Sequence, residues 1–237
     1  MKVHFTTLGC PKNQVDSELM LGMLSRSGHE ITDVAETADC LVVNTCAFID
    51  RAREESVQTI LELAKVKEAG RARALIVTGC LTQRYGGEIL SEIPEVTAIL
   101  GTSELDKIVA LVNQAEGRQD WVTSAPPGYL YDASTPRLLT ARVPYAYVKI
   151  AEGCDMGCTF CAIPQFRGRT GAGRSPTSWP RWKGWRAGGY RRRFSSRRTR
   201  SPMVVSSPAT ATSAISSSRS PTRVCRGSGP CISIPPT

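Results

Sequence analysis

Two hydrophobic patterns alternate along residues 1–117 of the chain. Continuous apolar runs, typical of strands buried on both faces, occur at Cys40–Cys46 and Ala74–Cys80. Shorter strand-like runs occur at Lys2–Gly9, His29–Val34 and Ala98–Leu100. The pattern therefore predicts five strands, of which the His29–Val34 strand is peripheral.

The segments between these strands have apolar residues at helical spacing. The first predicted helix closes at Gly28, and its apolar face consists of Val15, Leu19, Leu21, Met23 and Leu24. The second is predicted to start at an Asp50 N-cap and to end at Gly70, with an apolar face of Val57, Ile60, Leu61 and Ala64. A third covers about Gln83–Glu92, and a fourth, capped by Ser103, runs to about Glu116.

Strands that alternate with helices form a parallel sheet with helices on both faces. Five strands in this length predict a flavodoxin-like, doubly wound α/β domain over residues 1–117, with strand order 2-1-3-4-5. Ligands bind such domains at the carboxyl edge of the sheet, beside the point where the strand order reverses.

Three cysteines are predicted to lie at this edge. Cys10, Cys46 and Cys80 follow strands 1, 3 and 4, which are neighbours in the predicted order and so lie about 4.8 Å apart. We expect the three thiols to gather there and to hold a metal cluster. The alternative is that they are small buried hydrophobic residues, a common role of free cysteine. Cys40 begins strand 3, at the opposite end, and is assigned to packing.

Three further cysteines, Cys154, Cys158 and Cys161, follow a strand-like run at C-x3-C-x2-C spacing. Thiolates on one short loop suit zinc or an iron–sulfur cluster, and three ligands leave one iron of a four-iron cluster open. A zinc knuckle would need a fourth ligand, and the two histidines, His4 and His29, lie far upstream. The spacing therefore favours the iron–sulfur interpretation.

The run from Ala151 to Gly168, AEGCDMGCTFCAIPQFRG, resembles the cluster motif of radical S-adenosylmethionine enzymes, and in particular that of the methylthiotransferases. The resemblance implies that Cys154, Cys158 and Cys161 hold a 4Fe-4S cluster whose open iron binds S-adenosylmethionine. Reductive cleavage of that cofactor would give the radical that activates the substrate.

Three N-terminal motifs resemble the same family: Leu8–Asn13 with Val15–Glu18, Asn44–Ile49, and Thr78–Cys80. The resemblance implies that Cys10, Cys46 and Cys80 hold an auxiliary 4Fe-4S cluster, which carries the sulfur to be inserted. The Cys-Pro-Lys-Asn and Cys-Ala-Phe-Ile wording is similar to the branch that modifies an aspartate of a small-subunit ribosomal protein. The implied partners are that ribosomal protein and a protein that reduces the clusters.

Other functions remain open beside this one. The sister branch of the family modifies adenosine in transfer RNA. A non-catalytic iron–sulfur module and a basic RNA-binding protein are alternatives of other classes.

Beyond the first domain, the sequence predicts less structure. Residues 118–141 are rich in proline and are typical of an interdomain linker. Residues 142–169 are predicted to form only the first strand and the cluster loop of a radical S-adenosylmethionine barrel, in which active sites lie beyond the carboxyl ends of the strands.

The tail, residues 170–237, contains 13 of the chain's 30 basic residues and none of its 21 acidic ones, so it accounts for the net charge of +9. Neither a helical nor a strand period persists in this low-complexity Arg/Ser/Pro segment, and we expect it to be disordered. One interpretation is an arm that binds RNA phosphates. We favour translation in a shifted reading frame after Arg169, and with the barrel incomplete we expect no methylthiotransferase turnover.

Two observations bear on the location of the protein. The sequence has no apolar run of the roughly 20 residues that a membrane helix needs, and Met1–Phe5 lacks the core of a secretory signal. Nine cysteines outside a small disulfide-rich domain are typical of a reducing compartment. We therefore expect a cytoplasmic protein with no membrane partner.

Overall fold

The computed structural model describes part of the chain: residues 1–114, 122–123, 131, 134–140, 145–149, 151–169, 171–172, 192–196, 222–225 and 231–234. The first six strands are β1 (Lys2–Thr7), β2 (Glu30–Thr32), β3 (Cys40–Thr45), β4 (Ala74–Gly79), β5 (Ala98–Leu100) and β6 (Val122–Thr123). The helices among them are α1 (Pro11–Arg26), α2 (Asp50–Ala69), α3 (Cys80–Glu92) and α4 (Ile108–Asn113), with 3-10 turns at Ala35–Thr37 and Leu105–Lys107.

The six strands form one parallel sheet in the order β2-β1-β3-β4-β5-β6. The predicted order of the first five strands, and the flavodoxin-like α/β fold that it defines, are confirmed. The registers pair Thr7 with Asn44 and Thr45 with Gly79, so β1, β3 and β4 end at nearly the same level. Their carboxyl ends therefore share one edge of the sheet.

The sheet has an apolar core on each face because helices cover both sides. Leu41 and Val43 of β3 pack with α2 and α3 in one core, whereas Val42 of the same strand packs with α1 and α4 in the other. Side chains of a strand point alternately to the two faces of the sheet. Because both faces are covered here, the residues that point to either face must be apolar. Every residue of β3 and β4 is buried, as their continuous apolar runs predict.

Two details of the helices differ from the sequence prediction. Asp50 is the first residue of α2 rather than its cap, since the N-cap position is Ile49. Glu104, not Ser103, precedes the 3-10 turn at Leu105–Lys107, which leads into α4. Such ends are set by where the chain leaves the sheet, and the predicted extension to Glu116 lies outside the described residues.

The apolar face of α2 is also turned relative to the prediction. Its buried residues are Ser56, Ile60, Leu63 and Ala64, while Val57 and Leu61 are each 39% exposed. The polar Ser56 lies on the core face because its hydroxyl binds the backbone of Cys46, at 3.0 and 3.1 Å. Because serine is polar, apolar periodicity alone does not place Ser56 on the buried face of α2.

Parts of the predicted linker contact the first domain. β6 pairs with β5 as the sixth strand, and within residues 134–140 the Arg137 guanidinium forms a buried ion pair with Glu18 of α1. The proposed division into residues 1–117, 118–141, 142–169 and 170–237 stays a prediction.

The remaining described elements follow the linker: β7 (Tyr145–Lys149), β8 (Ala151–Glu152), α5 (Ile163–Arg167), β9 (Gly171–Ala172), β10 (Arg192–Ser196), β11 (Thr222–Cys225) and β12 (Cys231–Ile234). β7 pairs in parallel with β10, and the pairs β8–β9 and β11–β12 are antiparallel. Most of residues 170–237, on which the expectation of a disordered tail falls, lie outside the described part, so that expectation stays a prediction. Among the described helices, no segment has the length and apolarity required to span a membrane.

Candidate metal centre

The three N-terminal cysteines lie around one small cavity of about 20 Å³ at the carboxyl edge of the sheet. Cys10 is the N-cap of α1, Cys46 follows β3 directly, and Cys80 opens α3 directly after β4. Cys46 and Cys80 are buried and Cys10 is partly exposed. The structure therefore brings together the three residues that the strand order predicted. We refer to them as the N-terminal triad.

Glycines before two of these cysteines permit the close approach. Gly79 has a φ of +105°, and a Cβ at this position would lie 2.4 Å from both Asn44 Oδ1 and the Thr45 carbonyl oxygen. Gly9 has a φ of +92°, and its Cβ would lie 2.8 Å from Cys46 Cβ. L-residues rarely adopt this backbone region, so both positions require glycine.

Buried amides join the segments that carry Cys10 and Cys46. The Asn13 side chain donates hydrogen bonds to the carbonyl oxygens of Leu8 (3.0 Å) and Thr45 (2.9 Å), which precede Cys10 and Cys46. The Asn44 amide in turn donates to the Asn13 carbonyl oxygen at 3.0 Å and to Ser17 Oγ at 2.9 Å. In the sequence, Asn13 and Asn44 stand out only as parts of motifs, and their pairing across about 30 positions has no signal in a single sequence.

Burial and the Arg167 guanidinium act in opposite directions on the pKa of Cys80. Burial raises the pKa of the Cys80 thiol to about 11, although the Arg167 guanidinium, whose Nε donates to Cys80 Sγ at 3.2 Å, opposes this rise. Lys12 and Arg167 line the same cavity as the triad. Thiolates are the form that binds metals, so loading this site requires loss of the proton from Cys80.

The second set of cysteines is arranged differently. Cys154 is buried in the same core as Cys80, Cys161 is half-buried against that core, and Cys158 is exposed. The Cys161 N–H donates to the Cys158 carbonyl oxygen at 3.1 Å, which closes the turn between them. The Cys154 N–H donates to the Gly168 carbonyl oxygen at 3.0 Å, which ties the start of the loop to the end of α5.

As the side chains stand in the described part of the chain, no three or more of the His, Cys, Asp and Glu groups lie close enough together to hold a metal ion. The N-terminal triad fits an iron–sulfur group by its donors, since three thiols face one cavity beside two cations. The assignment of all six cysteines as ligands stays a prediction.

Five charged side chains are buried together beside the triad. Lys12, Asp16, Lys149, Glu152 and Arg167 are each at most 8% exposed. Asp16 pairs with Lys149 and Arg167, and Glu152 pairs with Lys12, Lys149 and Arg167. This group, which we call the buried charge cluster, joins α1 to β7, β8 and α5. The sequence alone does not reveal this cluster, because no pattern links charges more than 130 positions apart.

Charges in this cluster keep Glu152 and Lys149 ionised. Burial alone would raise the pKa of Glu152, but the nearby Lys149, Arg167 and Lys12 outweigh it and hold that pKa well below its usual range. Burial alone would lower the pKa of Lys149, but Asp16 and Glu152 outweigh it and raise that pKa. Glu152 and Lys149 therefore stay charged near neutral pH.

Comparison with known proteins shows what the N-terminal part of the chain resembles. Residues 2–101 match the family model described as "Uncharacterized protein family UPF0004", and the match covers β1 to β5 and the N-terminal triad.

Curated relatives show which branch of methylthiotransferases the chain resembles. The ribosomal protein uS12 methylthiotransferase RimO of Solibacter usitatus is 56% identical over 168 residues, which make up 71% of this chain and 35% of the relative. The enzyme of the same name from Heliobacterium modesticaldum is 50% identical over 169 residues, or 71% of this chain and 37% of the relative. The predicted resemblance to methylthiotransferases of the ribosomal-protein branch is confirmed. The chain spans little more than a third of the length of these relatives.

Proposed function

We propose that this chain carries the cluster-binding part of a methylthiotransferase that acts on a small-subunit ribosomal protein. The single observation that carries the proposal is the convergence of Cys10, Cys46 and Cys80 on one cavity at the carboxyl edge of the sheet. The names of the relatives support uS12 as the substrate, and the resemblance of the cysteine motifs supports insertion of a methylthio group at an aspartate. Such a substrate supports a cytoplasmic location.

The two sets of cysteines would have separate roles in this reaction. Cys10, Cys46 and Cys80 would hold one 4Fe-4S cluster, and Cys154, Cys158 and Cys161 would hold the other together with S-adenosylmethionine. Bound there, these groups supply the sulfur for transfer and the reductive cleavage of S-adenosylmethionine, with electrons from a partner protein.

The protein's own side chains would shape the N-terminal site. Buried Cys46 and Cys80 lie among Phe48, Ile163 and Phe166, apolar side chains that line the cavity and would limit the access of water to it. Exclusion of water strengthens the attraction between bound anionic sulfur and the cations Lys12 and Arg167. A dry site also prevents reactive species from being lost to solvent.

We also propose that this chain alone has no methylthiotransferase activity. The exposed Cys158 and the half-buried Cys161 lack the enclosure found around the N-terminal triad. A radical formed beside an exposed loop would be quenched by solvent. The same exposure favours a second candidate function, a non-catalytic iron–sulfur module that uses only the N-terminal triad.

Anaerobic reconstitution tests both proposals. The chain is incubated with iron, sulfide, a reductant and S-adenosylmethionine, and deoxyadenosine and methylthio-modified substrate are measured together with bound iron. We expect iron to bind without release of deoxyadenosine. Deoxyadenosine release with modification of the ribosomal protein would overturn the claim of inactivity, and absence of bound iron would overturn the proposed family function for this chain.

A further inference from the structure

Arg167 ends α5, the helix that follows the second set of cysteines, but its side chain lies in the N-terminal site. It is 3% exposed, and its guanidinium donates in several directions at once. Nε donates to Cys80 Sγ at 3.2 Å, one terminal nitrogen to Asn13 Oδ1 at 2.6 Å, and the other to Asp16 Oδ2 at 2.6 Å. One side chain thus contacts a cysteine of the triad and the amide that organises its loops.

The position of Arg167 is fixed from both ends of α5. Ile163 and Phe166 of this helix line the cavity of the triad, and Thr102 Oγ1 donates to the Phe166 carbonyl oxygen at 2.8 Å. On the other side, the Gly168 carbonyl oxygen accepts the hydrogen bond from the Cys154 N–H. The segment that carries Cys154 therefore also forms one wall of the N-terminal site.

The buried charge cluster has an excess of one positive charge. It contains three cations, Lys12, Lys149 and Arg167, and two carboxylates, Asp16 and Glu152. A buried charge without compensation is costly, and the free energy of the fold falls if an anion is placed beside it. Arg167 Nε contacts Cys80 Sγ. An anionic group bound through this sulfur would therefore compensate the excess positive charge.

We propose that Arg167 is a positioning residue for the group bound by Cys10, Cys46 and Cys80. Its Nε–H donates to the Cys80 sulfur and its charge compensates the anionic site, so a residue beyond the second cysteine loop sets the reduction potential of the first. Hydrogen bonds to ligand sulfurs and local charge are established determinants of that potential. The inference rests on the proposed function, since it assumes an iron–sulfur cluster at the triad.

The test uses the full chain with Cys154, Cys158 and Cys161 changed to alanine, which leaves only the N-terminal site to be loaded. The midpoint potential of its cluster is measured anaerobically and compared with those of the Arg167→Met and Arg167→Gln variants. Loss of the charge should favour the oxidised cluster at least tenfold, a shift of 59 mV to lower potential for one electron. Glutamine retains a donor but no charge, so it should shift the potential less than methionine.

Arg137→Met is the matched control. Arg137 also forms a buried ion pair, with Glu18, but it does not line the cavity of the triad. Its loss should lower stability and leave the potential unchanged. A purely structural role for Arg167 would give the same result at both positions.

The outcomes separate the inference from the function on which it rests. A single-site chain that binds about four irons, with the same potential in the Arg167 variants, overturns the inference alone. A chain that binds no iron overturns the proposed function and the inference with it. If the methionine variant does not fold, the glutamine variant decides, and an unchanged potential there is equally contrary to the proposal.

Discussion

Cys40 and Cys46 lie at opposite ends of β3, and their surroundings separate packing from ligation. Cys40 is fully buried in the core on the α1 side of the sheet, whereas Cys46 lines the cavity of the N-terminal triad. Burial raises the pKa of the Cys40 thiol to about 12, with the Asp39 carboxylate adding to this effect. Position along the strand thus predicted where each cysteine lies, because ligands bind parallel sheets at one edge only.

Thiol labelling tests this distinction. The exposed Cys158 should react rapidly with an alkylating reagent in the native apo chain, and Cys40 should react only after unfolding, because it is inaccessible and fully protonated near neutral pH. Peptide mass spectrometry after timed labelling measures both rates. Native labelling of Cys40 at the rate of Cys158 would show that β3 is not buried as described.

Gly79 is the residue at which the backbone constrains the site most. Gly79→Ala places a Cβ 2.4 Å from Asn44 Oδ1 at a φ of +105°, so we expect destabilisation by about 2–4 kcal/mol. The measurement is urea unfolding of the apo chain. The matched control is Gly28→Ala, whose φ is +85° but whose Cβ would meet nothing within 4 Å, and it should cost only about 1–2 kcal/mol. Equal losses in the two variants would argue against the contact at β4.

At the level of strands and helices, the order and the ends of the strands were predictable from the sequence. The side-chain contacts between elements were not. Continuous apolar runs identify β3 and β4 because both faces of each strand are covered. The inner face of α2 was misassigned at Val57 and Leu61, because it is set by a hydroxyl contact between Ser56 and Cys46 rather than by hydrophobicity. The contact of Arg167 with Cys80 spans 87 positions, and only the fold reveals it.

The buried charge cluster predicts how strongly α1 is joined to β7 and β8. Lys149→Met removes the buried charged contacts to Asp16 and Glu152, although Arg167 and Lys12 still compensate these carboxylates, so we expect a loss of about 2–4 kcal/mol in the free energy of unfolding. Lys2→Met removes the exposed ion pair with Glu30, and should change stability by no more than about 1 kcal/mol. Urea unfolding of both variants compares them. A loss at Lys149 as small as that at Lys2 would mean that the cluster is solvated.

In the molecule as a whole, residues 170–237 differ from the rest of the chain in their charge and in their lack of similarity to the methylthiotransferases. Residues 170–237 contain no acidic residue, and the matches to the two uS12 methylthiotransferases extend over only 168 and 169 residues. We propose that the reading frame shifts after Arg169. Sequencing the gene across this point tests the proposal: restoring one base near the codon for Thr170 should recover strand and helix patterns of a barrel. A restored frame without such patterns would refute it.

Iron stoichiometry decides whether Cys10, Cys46 and Cys80 bind one cluster together. Bound iron is measured after anaerobic reconstitution of the chain in which Cys154, Cys158 and Cys161 are alanine. We predict about four irons per chain, nearly complete loss in each of Cys10→Ala, Cys46→Ala and Cys80→Ala, and full retention in Cys40→Ala. Iron that survives loss of any triad cysteine, or that disappears with Cys40, would contradict the account.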